Sequence, residues 1–278
     1  MAHSKEGFSS LTFASQYPEA PLNSWIDIYF NSMHIMAQTF SHPETRPAFQ
    51  CFYQSLSDIL PSSEMKEIMQ DFILMKHHVQ NALLSEPTCL KPFFLVHKEM
   101  ETILKQNPEN FFDYCCRNRE LLFLWTYLFH NYYNILYHLP CLNLNNLRNQ
   151  YQVKNINKET WSHPIWFILH FSALNSPNML NEIWTTAYKA FAACLQIILP
   201  CELCRQHWVE NLPRIPIDNY LFTCDSLFQW SWLIHNEVNK KLDKPSMNLD
   251  EARMKYTAKG RGNMSKKSYY ELLPVRYA

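Results

Sequence analysis

The residues best able to do chemistry are Cys201 and Cys204, a CxxC pair in the run Pro200-Cys201-Glu202-Leu203-Cys204-Arg205-Gln206-His207. Sulfurs three residues apart can make and break a disulfide repeatedly. Pro200 suits the first turn of a helix, where a missing N–H is not needed. A thiol at that end meets unpaired N–H groups and the positive end of the helix dipole, which favour the thiolate, the attacking species in disulfide exchange. Two further groups flank the pair in sequence. Trp166 and His170 stand at i and i+4 with Ala173 a turn further on, and His235 and Asn239 stand at i and i+4 around Asn236; each pair shares one helix face. Such stripes of flat and amide side chains describe a dithiol beside a flat cofactor, although any single Trp or His on an apolar face is an ordinary core residue.

Composition limits the alternatives. Of 278 residues, 47% are apolar and 15% aromatic, ample for one large domain or two modest ones. Twenty-five basic side chains balance 25 acidic ones, so net charge gives no support to nucleic acid as a partner. Only Gly7, Gly260 and Gly262 are glycine, which rules out a GxGxxG turn or a phosphate-cradling P-loop. A dinucleotide would have to bind without a glycine-rich turn. The first ten residues lack the basic and apolar regions of a signal peptide. The longest apolar runs, 121–129 and 190–199, are shorter than the ~20 residues of a membrane span and read as buried helices. Nine cysteines are then thiols, metal ligands or catalytic groups of an intracellular protein rather than a secreted scaffold.

The elements that must hold these residues are helices. Scarce glycine, punctuating prolines and apolar recurrence at three and four predict an all-α chain. Helices are expected near 161–175, 178–199, 201–211 and 222–242, with Pro177, Pro200, Pro213 and Pro216 at their boundaries. The Asn-rich stretch 143–158 reads as a linker. Ahead of it lies a degenerate repeat: Leu122, Phe123, Trp125, Leu128, His130, Asn131 and Asn134 match Leu227, Phe228, Trp230, Leu233, His235, Asn236 and Asn239 at a constant offset of 105. More faintly, Phe30, His34 and Ala37 echo Trp166, His170 and Ala173. The N-terminal half has no CxxC, so it reads as a duplicate that kept its fold and lost its redox centre.

Taken in order, Trp166-x3-His170-x2-Ala173-x3-Pro177, Pro200-Cys201-x2-Cys204 and Trp230-x4-His235-Asn236-x-Val238-Asn239-x2-Leu242-x-Lys244-Pro245 resemble the Erv/ALR family of FAD-linked sulfhydryl oxidases over about residues 161–245. One CxxC is a weak signal, since zinc sites and thioredoxin-like folds share it; three motifs in family order are a specific one. A helical domain without CxxC ahead of a catalytic one further resembles the two-domain enzymes of baculoviruses and other large insect DNA viruses. The resemblance implies an all-α, FAD-binding helical bundle at 155–248, preceded by a degenerate one at 1–145; beyond it 249–278, with Lys255, Lys259, Arg261, Lys266, Lys267 and Arg276 among few acids, reads as a basic tail. It implies that Cys201 exchanges with substrate thiols while Cys204 addresses the flavin, and that oxygen accepts the electrons as hydrogen peroxide. Trp166, His170, His235, Asn236 and Asn239 would form the flavin pocket, with Lys241 and Lys244 neutralising the pyrophosphate; no metal is implied. The expected partners are thiol-containing protein substrates and a second copy in a homodimer. The implied setting is the host cytoplasm or nucleus and the virion, in the folding of viral proteins.

This chain departs from the family pattern in places. Trp232 stands where many members have a cysteine bridged beyond the helix, and no cysteine follows Cys224, so aromatic packing would have to replace that clamp. His163-Pro164 stands where an arginine is common. Cys115-Cys116 and Cys224 read either as electron relays or as plain neighbours, and His207 either as support for Cys204 or as a satisfied histidine. The rival readings are a zinc-binding module using Cys201, Cys204, His207 and Cys224, and a scaffold without activity. A thioredoxin-like reductase would need strand patterning, which the sequence lacks.

Overall fold

The structure, a computed structural model, describes residues 22–85 and 90–257. Most of the basic tail, including Lys259, Arg261, Lys266 and Lys267, lies outside them. Among the described residues there are fourteen α-helices and no strand beyond one isolated bridge between Met179 and Thr223. The first half holds α1 (Leu22–Thr39), α2 (Arg46–Asp58), α3 (Ser63–Ile73), α4 (His77–Ser85), α5 (Leu90–Val96), α6 (Lys98–Gln106), α7 (Phe111–Cys115), α8 (Arg119–Leu136) and α9 (Leu144–Gln150). The second holds α10 (Lys158–Leu174), α11 (Glu182–Ile198), α12 (Glu202–Asn211), α13 (Cys224–Lys241) and α14 (Leu249–Tyr256). The apolar runs noted in the sequence lie in α8 and α11, both largely buried.

Local chemistry explains where these helices begin and end. Asn157 caps α10 and Thr223 caps α13, each in a reciprocal capping box with the residue three positions on. Each box satisfies two backbone donors that the first turn would leave bare. At their far ends α8 and α13 stop in the same turn: His138 and Asp243 adopt positive φ, 54° and 50°, and the next N–H returns to the carbonyl of Asn134 or Asn239, closing a Schellman motif. The stretch 143–158, expected as a linker, instead contains α9, capped by Asn143. Its asparagines cap or face solvent, while Leu147 and Tyr151 are buried. Too few apolar residues mark it as a helix by pattern alone.

The repeat at the offset of 105 extends to atomic detail. α1 packs on α8 as α10 packs on α13. Ion pairs Arg148–Glu120 and Arg253–Asp225 recur at the offset of 105. The two sets of helices face each other, α1 against α10 and α2 against α11, in one continuous core. Phe52 stacks on Phe191 at 5.3 Å, and the Tyr29 and Ser172 hydroxyls lie 2.6 Å apart across the seam. The halves diverge where the first runs through α3–α7 and the second has only α12 and a short 3-10 turn. Phe72 and Phe112 of that excursion pack on Trp125, whereas Trp208 of α12 packs on Trp230.

Candidate active site

α12 places the two cysteines. Cys201 is its N-cap, one position before the first turn, and its sulfur accepts the Cys204 N–H at 3.3 Å. Cys201 and Cys204 are joined in a disulfide, with Cα atoms 5.1 Å apart. Both are half-buried, and Leu203 between them is exposed. Cys204 lines a cavity of about 430 Å³ walled by α10, α12, α13 and α14, whose lining does not include Cys201. One cysteine therefore meets the cavity and the other lies outside it.

The cavity wall is a stack of flat groups. Trp166 of α10 lies parallel to His235 of α13, with ring centroids 4.0 Å apart and planes within 2°; Trp208 closes on Trp166 at 5.8 Å. Behind them runs a fixed chain of hydrogen bonds. Ser231 Oγ donates its one proton to the Phe228 carbonyl at 2.8 Å, so it accepts from His170 Nδ1 at 2.8 Å. A neutral His170 then accepts at Nε2 from His235 Nδ1, again at 2.8 Å. That order leaves His235 Nε2 as an acceptor. Burial keeps both rings neutral: it drives His170 well below its ordinary value and His235 down to about 4, with the Lys255 charge adding to the effect on His235. Tyr256 of α14 seals the back of His170 at 4.5 Å.

The same wiring stands in the N-terminal half without a cysteine pair. Phe30 lies on His130 at 3.8 Å, His34 bonds Thr126 at 2.9 Å and His130 at 3.0 Å, and Tyr151 packs on His34.

The expected residues separate into two groups. Trp166, His235, Asn239, Lys244 and Cys204 line one cavity. His170, Asn236 and Lys241 do not. His170 lies fully buried behind His235. Asn236 is spent on the chain that follows α13, donating to the Met247 carbonyl at 2.9 Å and accepting the Met247 N–H at 3.2 Å. Trp232 Nε1 donates to the same carbonyl at 2.7 Å, so an indole and an amide hold the segment that a disulfide clamps in the family pattern. Lys241 pairs with Glu210 of α12. Lys158, His163, Lys255 and Tyr256, none of them assigned to the pocket from sequence, also line the cavity. The last two belong to α14, the start of the stretch read as a tail. The repeat would have found them: Pro140, Asn143, Leu144, Arg148 and Tyr151 recur 105 residues later as Pro245, Asn248, Leu249, Arg253 and Tyr256.

Cys115 and Cys116 are fully buried in the first half, and burial pushes both thiols up. Cys224 is tucked against Asn178. Among the described residues no cluster of three or more His, Cys, Asp or Glu side chains is placed to hold a metal ion.

The Erv1 / Alr family profile matches residues 163–257, a span that takes in both cysteines, the stacked wall and α14. An FAD-linked sulfhydryl oxidase of African swine fever virus (isolate Pig/Kenya/KEN-50/1950) is 31% identical over 93 residues, covering 33% of this chain and 75% of the viral protein. The chain belongs to the Erv1/Alr family. Other relatives include a probable FAD-linked sulfhydryl oxidase of Acanthamoeba polyphaga mimivirus, 30% identical over 98 residues (35% of this chain, 68% of that protein). A putative one of frog virus 3 is 30% identical over 91 residues (32% and 60%). No solved structure matches significantly. In this Erv1/Alr chain the family region is the second of two like halves.

The cavity's charges suit an FAD. Lys158, Lys244 and Lys255 line it with Glu159 as the only acid in its lining, and none of the three lysines enters an ion pair among the described residues. Partial desolvation lowers the pKa of Lys255, an arrangement that a bound pyrophosphate would compensate. The parallel Trp166 and His235 rings offer a flat face of the kind an aromatic cofactor packs on.

Proposed function

We propose that this chain is an FAD-linked thiol oxidase that forms disulfides in protein substrates. The observation that carries the reading is the Cys201–Cys204 disulfide with only Cys204 in the lining of the aromatic, basic cavity.

The outer cysteine starts the reaction. A substrate thiolate attacks Cys201 Sγ, forms a mixed disulfide and releases Cys204 as a thiolate. A second substrate thiolate attacks the mixed disulfide, forming the substrate disulfide and releasing Cys201. The N-terminus of α12 stabilises Cys201 as that leaving thiolate. FAD, when bound, supplies the two-electron acceptor that reoxidises the dithiol and hands the electrons to oxygen as hydrogen peroxide. Trp166 and His235 would hold the cofactor's flat ring system, and the hydrogen-bond chain through His170 to Ser231 fixes the His235 ring. Lys158, Lys244 and Lys255 would neutralise its pyrophosphate, and the turn after α13 sets the Lys244 backbone.

The N-terminal half acts as a partner body that lost the chemistry. Because α1 and α2 already cover α10 and α11, a homodimer of whole chains would have to use other surfaces. Among the described residues no helix is long and apolar enough to cross a membrane. The viral relatives favour a role in viral protein folding and virion assembly.

The test compares wild type with Cys204→Ser. Purified wild type should be yellow and consume oxygen when given dithiothreitol; the variant should keep its flavin and lose turnover. A colourless protein that takes up no added FAD but carries stoichiometric zinc would replace this reading with the zinc-binding module.

A further inference from the structure

One imidazole beside the CxxC has no structural task. His207 follows Cys204 by three residues on α12, and both line the cavity of about 430 Å³. Residues at that spacing are neighbours on one helix face, with Cβ atoms about 5–6 Å apart. The paired imidazoles of the two halves are committed, His34 to Thr126 and His130, His170 to Ser231 and His235. His207 is half-buried and enters no hydrogen bond or ion pair among the described residues. Nor does it belong to a cluster able to hold a metal ion.

The other groups around the cavity are poorer proton acceptors for Cys204. α10 brings Lys158, Glu159 and His163 to the lining, α13 brings His235, the turn after it Lys244, and α14 Lys255 and Tyr256. Burial pulls His163 and His235 down and pushes Tyr256 up, the lysines supply positive charge, and Glu159 is exposed on a different helix. Three residues beyond His207, Glu210 pairs with Lys241 of α13 at the protein surface. Cys204, His207 and Glu210 thus succeed one another along α12 from the cavity to an exposed carboxylate.

We propose that His207 is the base for Cys204: in the reduced protein it takes the thiol proton and holds Cys204 as a thiolate beside an imidazolium. One S–H bond breaks and one N–H bond forms; no electron moves, so the step needs no oxidant. The same imidazolium meets the charge on Cys204 when a substrate thiolate opens the disulfide, and Glu210 offers its proton a way to solvent. A neighbouring imidazole is a general means of activating a thiol. The inference takes from the oxidase reading only that the Cys201–Cys204 disulfide is opened, and its readout is ionisation, not turnover.

The test uses the full chain with cysteine carrying carbon-13 at Cβ, reduced with tris(2-carboxyethyl)phosphine under argon and followed by NMR from about pH 5 to 9. The Cys204 signal is the one lost in Cys204→Ser. In wild type it should move in two steps, because a coupled thiol and imidazole titrate as a pair. His207→Asn should leave a single step and raise the pH of half-ionisation by about one unit or more, the effect of removing an opposite charge at this range. Reciprocally, Cys204→Ser should lower the midpoint of the His207 ring, followed in protein labelled at histidine. A Cys204 signal with one step and the same midpoint in wild type and His207→Asn would overturn the proposal, whatever the flavin assay gives. So would an equal shift of the Cys201 signal, which would mark a change in the whole helix, or a His207 midpoint indifferent to Cys204→Ser.

Discussion

Acid should destabilise this protein before its carboxylates titrate, because its buried imidazole pairs are neutral when folded. Burial holds His235 at about 4 and His130 at about 3, and holds His34 and His170 well below 6.5. A lowered histidine pKa means that the unfolded chain binds protons the folded chain refuses. Stability therefore rises with pH between the folded and unfolded values and falls on acidification from about 6.5. For His235 a displacement of about 2.5 units corresponds to about 3 kcal/mol, on the order of a third of a typical domain's stability. Each such ring adds about 1.4 kcal/mol per pH unit to the slope just below 6. The assay is denaturant unfolding followed by circular dichroism from pH 7.5 to 4.5, for wild type and His130→Gln. The N-terminal ring is chosen because it lies outside the proposed flavin site. Wild type should lose several kcal/mol across this range, and His130→Gln should take up about one proton fewer on unfolding. Stability that stays flat to pH 5, or an unchanged slope in the variant, would refute the neutral-pair argument.

Other consequences follow from the same contacts. Lys255→Met should weaken FAD retention about five- to thirtyfold, roughly 1 to 2 kcal/mol, while Lys241→Ala, which removes a half-exposed pair with Glu210, should leave flavin content unchanged; absorbance after gel filtration reads both. Asn236→Ala should cost about 1 to 3 kcal/mol, since it strips the Met247 backbone of both amide partners, and thermal melts with and without FAD would show it. Phe52→Ala, at the aromatic contact with Phe191, should cost about 3 to 5 kcal/mol in one cooperative transition. Two separate transitions would instead mean that the halves fold independently.

Much of the catalytic half could be read from sequence because its signals are local. Prolines and capping side chains mark the ends of α10–α13, and the CxxC announces its own chemistry. What escaped depends on partners distant in sequence or on spacing between copies. Asn236 fits a cofactor-binding pattern as well as it fits a backbone clamp, and the clamp shows only in the position of Met247. Lys241 is the last residue of α13 and Lys244 lies three positions on, yet the turn at Asp243 sends their neighbourhoods apart. α14 was hidden by composition: a short polar helix with two buried residues, Ala252 and Tyr256, resembles the charged tail that follows it.

The retained wiring of the N-terminal half separates structure from catalysis. His34, His130 and Thr126 reproduce the His170, His235 and Ser231 chain, and Phe30 takes the place of Trp166. Tyr127 bonds the Leu142 carbonyl at 3.3 Å where Trp232 bonds that of Met247, and Asn131 receives the Leu142 N–H at 2.7 Å where Asn236 receives that of Met247. None of this stands beside a CxxC in the first half. The imidazole chain and the Asn clamp must therefore stabilise the pairing of α1 with α8, and of α10 with α13, in their own right. Among the features that differ between the halves are those proposed for the redox chemistry: the disulfide on α12, Trp166 in place of Phe30, and Lys244 and Lys255, whose counterparts 105 positions earlier are Leu139 and Gln150. Placing lysines at those two positions of the first half would test the division, because charge without a dithiol should confer no thiol oxidation there.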